Sequence, residues 1–435
     1  MFHTAESIDS AEHSAMTPAA MQYGTRLRQR LGLPEQVAHC QPHPAERIAT
    51  CGLLTLCGES GQLGVLPPVP LATCADEAIE AFRDVCGVAV LKSLSGADLL
   101  TERAHASSLQ QNGSRSTNGQ CRLLRSADGM IGLNMARESD WDLMPAWLEE
   151  TGAMDWPALT SAIGKRPTIT LIERGQLLGL AIADATGIPT TCGDWLHCQQ
   201  IAAPYISGKS RPRVIDLSSL WAGPLASRLW LAAGAEVIKV ESRLRPDGGR
   251  LGSPEFFKLL NQGKTNITLD LHTPEGQIQL RQLILSADIV LEASRPRALR
   301  QLGIDAEALI AAKPGLTWVS ITGHGRQAPE ENWIGYGDDA GIAAGLSAAL
   351  HQATGQWLVC GDAIADPMTG IHAALAGWAT WLSGGGCLLD LSLSGTVRHC
   401  LTATAPKNND YKMRYQRWQR HLTTLTFSRL EGSRL

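Results

Sequence analysis

Residues 213–241, RVIDLSSLWAGPLASRLWLAAGAEVIKVE, constrain the fold more than any other stretch of the chain. The apolar run at 214–217 is typical of a buried strand, and Pro224 suits the first turn of a helix. Apolar residues then recur at every fourth position over 225–233, which gives that helix one buried face. A second apolar run follows at 237–240. Because strand–helix–strand crossovers are right-handed, this unit predicts a parallel sheet that is buried on both faces.

Strand and helix patterns continue to alternate after this unit. Later strands are predicted at 267–271, 288–293, 317–321 and 387–393. A helix of very small residues is predicted at 337–350, and a long helix at 366–382 that the glycines at 384–386 end. This alternation indicates an α/β fold with a doubly wound, Rossmann-like parallel sheet, whose ligands bind beyond the carboxyl ends of the strands.

A smaller α+β domain is predicted ahead of the large sheet. A hairpin over 121–135 turns at Ala127-Asp128-Gly129, and helical patterns follow at 156–163 and 168–179. With a length of 435 residues, more than one domain is expected. The predicted sections are an N-terminal section at 1–115 whose residues 1–24 form a mobile lead-in, the small domain at 116–205, the large α/β domain at 206–400 and a basic tail at 401–435. For that tail, a solvated helix is favoured over a cofactor or partner contact.

Composition excludes several classes of function. A net charge of −4 argues against nucleic-acid binding and against a polybasic membrane surface. No apolar run reaches the ~20 residues that a membrane-spanning helix requires. The eleven cysteines form no CxxC pair, so we interpret them as reduced thiols of a cytoplasmic protein, and no clustered ligand set predicts a metal site.

The residue patterns alone leave the chemistry open. The first turn has a single glycine, Gly223, where a dinucleotide-binding fold has GxGxxG, so NAD binding is disfavoured. Asp366 precedes Pro367 and is predicted to be a helix N-cap, a role that spacing alone favours over nucleophilic catalysis. Asp338 and Asp339 are adjacent and are typical of a capping pair rather than an acid–base dyad.

Four other polar residues lie next to predicted strand ends, where active-site loops belong. His324 follows one strand, and the basic residues Lys264, Arg295 and Arg297 lie near others. For each of them, phosphate or substrate binding and an ordinary solvated surface position are both compatible with the pattern. No GxSxG elbow, HExxH motif or P-loop is present in the sequence.

A series of ordered blocks resembles the family III CoA-transferases, the group of formyl-CoA transferase, carnitine CoA-transferase and α-methylacyl-CoA racemase. The matching runs are VIDLSSLWAGPLASRLWLAAGAEVIKVE at 214–241, LNQGKTNITLDLHTPEGQ at 260–277, ADIVLEASRPRALRQLGID at 287–305, VSITGHGRQAP at 319–329, GYGDDAGIAAGLSA at 335–348 and DAIADPMTGIHAALAG at 362–377. The order and number of the blocks make this resemblance more specific than any single motif.

The resemblance implies an acyl-CoA:carboxylate CoA-transferase with Asp366 as the nucleophile. This aspartate stands ahead of Thr369-Gly370-Ile371-His372, as the family's nucleophile precedes its helix start. Its carboxylate would attack the thioester to give a mixed anhydride, and CoA thiolate would return to form an aspartyl-CoA thioester that an acceptor acid resolves. Coenzyme A is then a co-substrate, and no permanently bound cofactor is expected.

The resemblance also implies a substrate and CoA site at the carboxyl ends of the strands. Arginine and lysine suit the phosphates of CoA by charge. The expected site residues are Trp221, Ala222, Arg243 (or Arg245), Lys264, Ala293, Arg295, Arg297, His324 and Tyr336. Family members form interlocked dimers, so the resemblance implies a homodimer, with acyl-CoA and a carboxylic acid as the small-molecule partners.

Four departures from the family pattern qualify this expectation. Trp221 stands where formyl-CoA transferase has a glutamine, which argues against formate and oxalate, and Tyr336 stands where the racemases have a histidine base. The glycine-rich lid is reduced to Gly119 within SRSTNGQC. The small-domain section also precedes the large-domain blocks, and CGLLTLCG at 51–58 resembles a worn copy of a family run, which indicates a rearranged or fused chain.

Two alternatives therefore stay open. An acyl-CoA isomerase or racemase would need a second base near Asp366, for which His324 and His372 are the candidates. A non-catalytic CoA-binding homologue is the other alternative, since the lid is lost and the order of the sections is changed.

Overall fold

The computed structural model describes residues 22–35, 41–152 and 155–432. The mobile lead-in expected at 1–24 lies outside these residues except for 22–24, which begin the first helix. The helices are α1 (22–30), α2 (Pro44–Thr50), α3 (Leu71–Cys86), α4 (Gly96–Leu99), α5 (Glu102–Ser107), α6 (Met144–Leu148), α7 (Trp156–Ile163), α8 (Thr168–Leu178), α9 (Ala222–Ala232), α10 (Pro254–Asn261), α11 (Pro274–Ser286), α12 (Pro296–Gln301), α13 (Ala306–Ala312), α14 (Gly337–Ala343), α15 (Leu346–Thr354), α16 (Ala365–Leu382), α17 (Leu393–Ala403) and α18 (Tyr411–Gly432). The strands are β1 (Cys121–Arg125), β2 (Met130–Asn134), β3 (Ala181–Asp184), β4 (His197–Gln200), β5 (Arg213–Asp216), β6 (Glu236–Ser242), β7 (Thr265–Leu269), β8 (Ile289–Glu292), β9 (Thr317–Thr322) and β10 (Cys387–Ser392).

A seven-stranded sheet carries the large α/β half of the protein. Its strand order is β4-β10-β9-β8-β5-β6-β7, and every neighbouring pair is parallel except β4 with β10. Val214 and Ile215 at its centre are fully buried in two separate core clusters, as a sheet covered on both faces requires. The predicted doubly wound α/β fold and the unit β5-α9-β6 are both confirmed.

The small-residue segment predicted as one helix at 337–350 forms two helices. Helix α14 ends at Ala343, and Gly345 has φ = 98°, a left-handed conformation that interrupts the helix before α15 begins at Leu346. Glycine adopts this conformation without a steric cost, so the same small residue that allows close packing also ends the helix.

A three-stranded antiparallel sheet, β1-β2-β3, forms a second layer with α6, α7 and α8 beside it. The predicted hairpin at 121–135 is β1-β2. Strand β2 is buried throughout, and its Gly132 lies directly against the side chain of Ile342 on α14. This contact places the small sheet against α14.

The N-terminal section shares one hydrophobic core with the large sheet. Helix α3 packs along α16, and the rings of Phe82 and Trp378 meet edge to face at 6.1 Å. Leu27 of α1 and Phe82 are fully buried in the same cluster as the apolar face of α16. One packed core therefore joins the predicted N-terminal section, 1–115, to the predicted large domain, 206–400. The domain boundaries predicted from the sequence remain a proposal.

The C-terminal segment expected to be a solvated tail is a docked helix. Tyr411 is 0% exposed and Trp418 is 1% exposed, and α18 packs against α15 and α2. Tyr411, Tyr415, Trp418 and Leu422 recur at three- and four-residue spacing, so one apolar stripe covers the core although the helix as a whole is basic. This apolar periodicity was missed in the sequence because basic residues dominate the composition of the segment.

Among the helices in the described ranges, none combines the length and the apolar character needed to cross a membrane.

Candidate active site around Asp366

Asp366 is the single accessible point on a buried stretch. All residues from Leu358 to Ala379 are buried except Asp366, which is partly exposed. It lies in the first turn of α16 and is not the predicted N-cap, because the helix begins one residue earlier, at Ala365, after Ile364. Pro367 thus occupies the third helical position, where a missing N–H is tolerated as well as at the first, since the first four N–H groups of a helix have no acceptor within it.

Two backbone N–H groups bond the Asp366 carboxylate. They belong to Ala222 and Gly337, the first residues of α9 and α14. Burial of the carboxyl group raises the pKa of Asp366 to about 6, while the positive charge of Arg103 and these two N–H groups act in the opposite direction. The result is a carboxylate that is ionised near neutral pH, held at the meeting point of three helix starts.

Gly337 leaves the space that the carboxylate occupies. A Cβ atom at this position would fall inside van der Waals contact with both Asp366 Oδ2 and the carbonyl oxygen of Ala363. Ala363 itself has φ = 42°, and its carbonyl accepts from the Asp366 N–H at 2.9 Å. The glycine is therefore required by close approach of two chain segments.

We expect Gly337→Ala to lower kcat/KM by about 10- to 100-fold, because the added methyl group displaces the carboxylate and displacements near 1 Å have effects of that size. Gly341→Ala on the same helix is the matched control, since its Cβ would approach no atom closer than Ile364 Cγ2 at 3.2 Å, against 2.3 Å at Gly337. Steady-state kinetics of the two variants and a thermal melt of each test this expectation. Equal losses in both variants would contradict it.

The turn that delivers Ala222 is held by a buried ionic network. Leu220 has φ = 67°, and its N–H donates to Asp247 Oδ1 at 2.9 Å. Lys239 is fully buried; its Nζ lies 2.8 Å from Asp247 Oδ2 and donates to the carbonyl of Ser218 at 2.8 Å. These bonds fix a left-handed backbone conformation that leucine does not favour.

Trp221 lies next in this turn and is 1% exposed. Its ring meets Phe256 edge to face at 5.0 Å, and the Arg103 guanidinium lies 4.9 Å from the ring centroid. Its Nε1–H has no acceptor among the described residues. A buried donor without a partner, one residue before the Ala222 N–H that bonds Asp366, is consistent with the predicted substrate contact.

Lys264 has a different environment from the one predicted. Its Nζ contacts four protein oxygens, from Asp216 at 3.2 Å, Ser227 at 2.7 Å, and Pro224 and Asn261 at 3.0 Å each. The three donors of the ammonium group are thus satisfied inside the protein. Burial lowers the pKa of Lys264 to about 8, and Asp216 opposes that shift. These contacts favour a structural role over the phosphate contact expected from the sequence.

The structure brings three of the four predicted arginines, Arg245, Arg295 and Arg297, together beyond the strand ends. Arg243 and Arg245 follow β6, Arg295 and Arg297 follow β8 after the half-buried Ala293, and no carboxylate among the described residues pairs with any of these four arginines. Burial lowers the pKa of Arg295, and the neighbouring charges of Arg297, Arg137 and Arg245 lower it further. Tyr336 lies close enough to act on the same pKa. Together these residues form an electropositive surface, which suits a polyanionic ligand.

The two candidate bases are held away from this chemistry by their own contacts. Burial lowers the pKa of His324 to about 4, and its ring lies 5.9 Å from that of Trp333. His372 is fully buried, with Nδ1 bonded to the Met368 carbonyl at 2.7 Å and Nε2 to the Tyr23 hydroxyl at 2.6 Å. No contact among the described residues joins either histidine to Asp366, so the arrangement gives no support to a proton-transfer pair.

Sequence reasoning missed most of the charged groups around Asp366. Asp362 is fully buried and takes a bidentate ion pair from Arg103, with N–O distances of 2.8 and 2.5 Å. Asp338 accepts from the Ala363 N–H at 2.8 Å, and burial raises its pKa to about 7. Only the position of Asp362 four residues before Asp366 hinted at its role; Arg103 carried no local signal.

Asp339 confirms one half of the predicted capping pair. Its Oδ1 accepts from the Tyr336 N–H at 3.0 Å and from the Asn134 side chain at 2.9 Å. Burial raises the pKa of Asp339 to about 7. Asp338 bonds a neighbouring loop instead of capping the helix, so the two adjacent carboxylates serve different segments.

Within the described part of the chain, no group of three or more His, Cys, Asp or Glu side chains is arranged to hold a metal ion.

Comparison with known proteins gives one family. Residues 211–425 match the family described as CoA-transferase family III. Similar proteins include the succinate–glutarate CoA-transferase of Agrobacterium fabrum, 34% identical over 42% of this chain and 50% of that protein. The succinyl-CoA–D-citramalate CoA-transferase of Chloroflexus aurantiacus is 31% identical over 45% of this chain and 51% of that protein.

Among solved structures, a CAIB/BAIF family protein from Brucella suis matches with 30% identity and a TM-score of 0.41, covering 43% of this chain and 54% of that chain. The chain spans about half the length of the curated relatives it matches. The N-terminal residues before 211 lie outside the family match.

Proposed function

We propose that the chain, whose residues 211–425 match CoA-transferase family III, is an acyl-CoA:carboxylate CoA-transferase with Asp366 as its nucleophile. One observation carries the proposal: Asp366 is the single accessible residue between Leu358 and Ala379. Its carboxylate is also bonded by two backbone N–H groups. An ionised, accessible carboxylate with fixed hydrogen-bond donors is what covalent acyl transfer needs.

The proposed reaction proceeds through two kinds of covalent intermediate. A carboxylate oxygen of Asp366 attacks the thioester carbonyl, the C–S bond breaks, and CoA leaves as the thiolate, giving a mixed anhydride. The thiolate then attacks the aspartyl carbonyl and releases the donor acid, which leaves an aspartyl-CoA thioester. The acceptor carboxylate attacks the aspartyl carbonyl of that thioester, the C–S bond breaks, and CoA leaves again as the thiolate, giving a second mixed anhydride between Asp366 and the acceptor. The thiolate then attacks the acceptor carbonyl of this anhydride, which forms the new acyl-CoA and releases the Asp366 carboxylate. Asp366 is regenerated at the end, and no outside reductant or oxidant is needed.

The chain's own donors have a specific part in these steps. The N–H groups of Ala222 and Gly337 bond the ground-state carboxylate. When Asp366 becomes an acyl derivative, the same donors remain directed at its oxygen, where charge develops in each tetrahedral intermediate. Helix starts suit this role because their N–H groups are unpaired within the helix.

We propose that CoA binds along the electropositive surface formed by Arg243, Arg245, Arg295 and Arg297. These side chains lie beyond the carboxyl ends of β6 and β8, where ligands of doubly wound sheets bind, and Arg295 is already crowded by positive charge. Arginine matches phosphate by both charge and geometry. The Trp221 ring and Tyr336 would then face the acyl part.

The choice of acids is part of the proposal. The relatives in the comparison act, by name, on succinate, glutarate and D-citramalate, and we propose a dicarboxylic donor or acceptor for this chain.

A panel of acyl-CoA donors and acids, with mass spectrometry of the intact protein, tests the function. An acyl or CoA adduct on Asp366 supports it, and CoA binding without adduct or turnover contradicts it. The homodimer and the cytoplasmic location expected from the sequence stay predictions for light scattering and cell fractionation.

The rate of adduct formation should depend on pH through Asp366. Its pKa is raised to about 6, mainly by burial, and the protonated carboxylic acid is not a nucleophile. We therefore expect kcat/KM to be level above pH 6 and to fall about tenfold for each pH unit below it. Single-turnover measurements from pH 4.5 to 8 check this. A rate that stays constant down to pH 4.5, or rises with acid, would exclude Asp366 as the titrating nucleophile.

A further inference from the structure

Helix α5, from the section outside the family match, docks against the candidate site through two bidentate ion pairs. Glu102 binds Arg228 of α9 at 2.6 and 3.0 Å. The next residue, Arg103, binds Asp362 through Nε at 2.8 Å and Nη2 at 2.5 Å. Thr117 Oγ1 donates at 2.5 Å to Asp362 Oδ1, the oxygen that also accepts from Arg103 Nη2. The N-terminal section thus contacts the site by charged groups as well as by apolar packing.

Arg103 touches both segments that flank the nucleophile. On one side it holds Asp362, whose neighbour Ala363 accepts the Asp366 N–H. On the other side its guanidinium lies over the Trp221 ring at 4.9 Å, directly before the Ala222 N–H that bonds Asp366. A planar guanidinium can satisfy both contacts at once, because it forms a fork to a carboxylate while one face stacks on an aromatic ring.

We infer that Arg103 is a positioning residue of the active site, supplied within the same chain by the N-terminal section, and that it holds the Asp362 loop and the Trp221 turn around Asp366. The inference rests on the proposed role of Asp366 for its meaning in catalysis, but its geometry is independent of that role. Lysine could supply the charge at position 103 but not the bidentate fork.

The charges around Asp366 give this role a measurable consequence. Asp338, Asp339 and Asp362 are buried carboxylates on the neighbouring segments, and Arg103 is the cation whose charge opposes the upward shift of the Asp366 pKa. Burial alone would lower the pKa of Arg103, but Asp362 reverses this effect and raises it. Loss of the guanidinium therefore leaves Asp366 beside carboxylates with no compensating charge.

The test compares Arg103→Met, Arg103→Lys and Arg228→Met in the full chain. Titration by ¹³C NMR of protein labelled at aspartate Cγ, with Asp366→Asn to assign the resonance, reports the Asp366 pKa without any turnover. We expect Arg103→Met to raise that pKa by about one unit or more and to move the acid limb of kcat/KM by the same amount. Arg103→Lys should restore the titration while kcat stays at least about tenfold below wild type.

Arg228→Met is the matched control, because it removes the other bidentate pair of α5 and leaves the Arg103–Asp362 pair in place. We expect it to leave the titration within a few tenths of a unit. An unchanged Asp366 titration in Arg103→Met, or an equal shift in Arg228→Met, overturns the inference. If Arg103→Met does not fold, the Arg103→Lys variant decides the question. A kcat equal to that of the wild type in this variant overturns the inference. A reduced kcat together with an unchanged Asp366 pKa supports it. If the wild-type chain transfers no CoA, the proposed function fails while the titration still judges Arg103.

Discussion

Asp366→Asn is expected to remove adduct formation and to lower kcat by on the order of 10⁴-fold or more, the size of effect seen when a covalent nucleophile is lost. The amide keeps the shape of the side chain, and its oxygen can still accept from the N–H groups of Ala222 and Gly337. The local packing should therefore persist while the nucleophilic oxygen is lost. Intact-protein mass spectrometry after incubation with acyl-CoA and steady-state assays measure both consequences.

Asp305→Asn is the control for this exchange. Asp305 caps α13 by accepting from the Ala308 N–H at 2.7 Å, and asparagine caps a helix about as well as aspartate. It should keep full activity and full adduct formation. Turnover within tenfold of wild type in Asp366→Asn, or an adduct that persists on another residue, would contradict the proposed nucleophile.

Lys239→Met should lower the free energy of unfolding by about 3–5 kcal/mol, because removing one partner of a buried ion pair leaves the other charge uncompensated. Lys239 and Asp247 have side chains that are 0% and 1% exposed, at 2.8 Å. Methionine fills a similar volume but cannot bond Asp247 or the Ser218 carbonyl. Urea denaturation followed by tryptophan fluorescence measures the change.

The control lies at the start of the paired strands β5 and β6, where Arg213 lies opposite Glu236. Arg213 and Glu236 form an ion pair with side chains 39% and 55% exposed, and Arg213→Met should cost only about 0–1 kcal/mol. A loss below about 1 kcal/mol in Lys239→Met would mean that water or a rearranged Asp247 replaces the buried contact. Lys239→Met should also lower transfer activity, because the same network fixes the turn before Ala222.

The fold was largely predictable because its signals are local. Apolar periodicity over 213–241 predicts β5, α9 and β6, whose apolar residues do lie in the core. Local signals failed where one sequence pattern is compatible with two different structures. A run of small residues at 337–350 favours a helix until Gly345 adopts φ = 98°, and Pro367 marks the start of a helix to within two residues only. The apolar stripe of α18 was missed because its charges dominate the composition.

The site was predictable only where the family resemblance reaches. Asp366, Trp221 and the arginines are adjacent to strand ends or motif blocks, and the structure brings Arg245, Arg295 and Arg297 together. Arg103 is separated from Asp362 by 259 positions, so no spacing rule connects the two. Lys264 shows the converse, since its position beside a strand end suggested a ligand while the folded chain supplies all its acceptors.

The two left-handed residues beside Asp366, the proposed nucleophile, imply a conflict between thermal stability and activity in this protein. Leu220 and Ala363 have φ = 67° and 42°, and side-chain-bearing residues in this region cost on the order of 1–3 kcal/mol each. Glycine at either position would remove that cost. It would also allow the backbone to adopt conformations that no longer contact Asp366. A laboratory selection for thermal stability alone should therefore recover glycine at 220 or 363 together with slower turnover, a trade-off common to strained active sites.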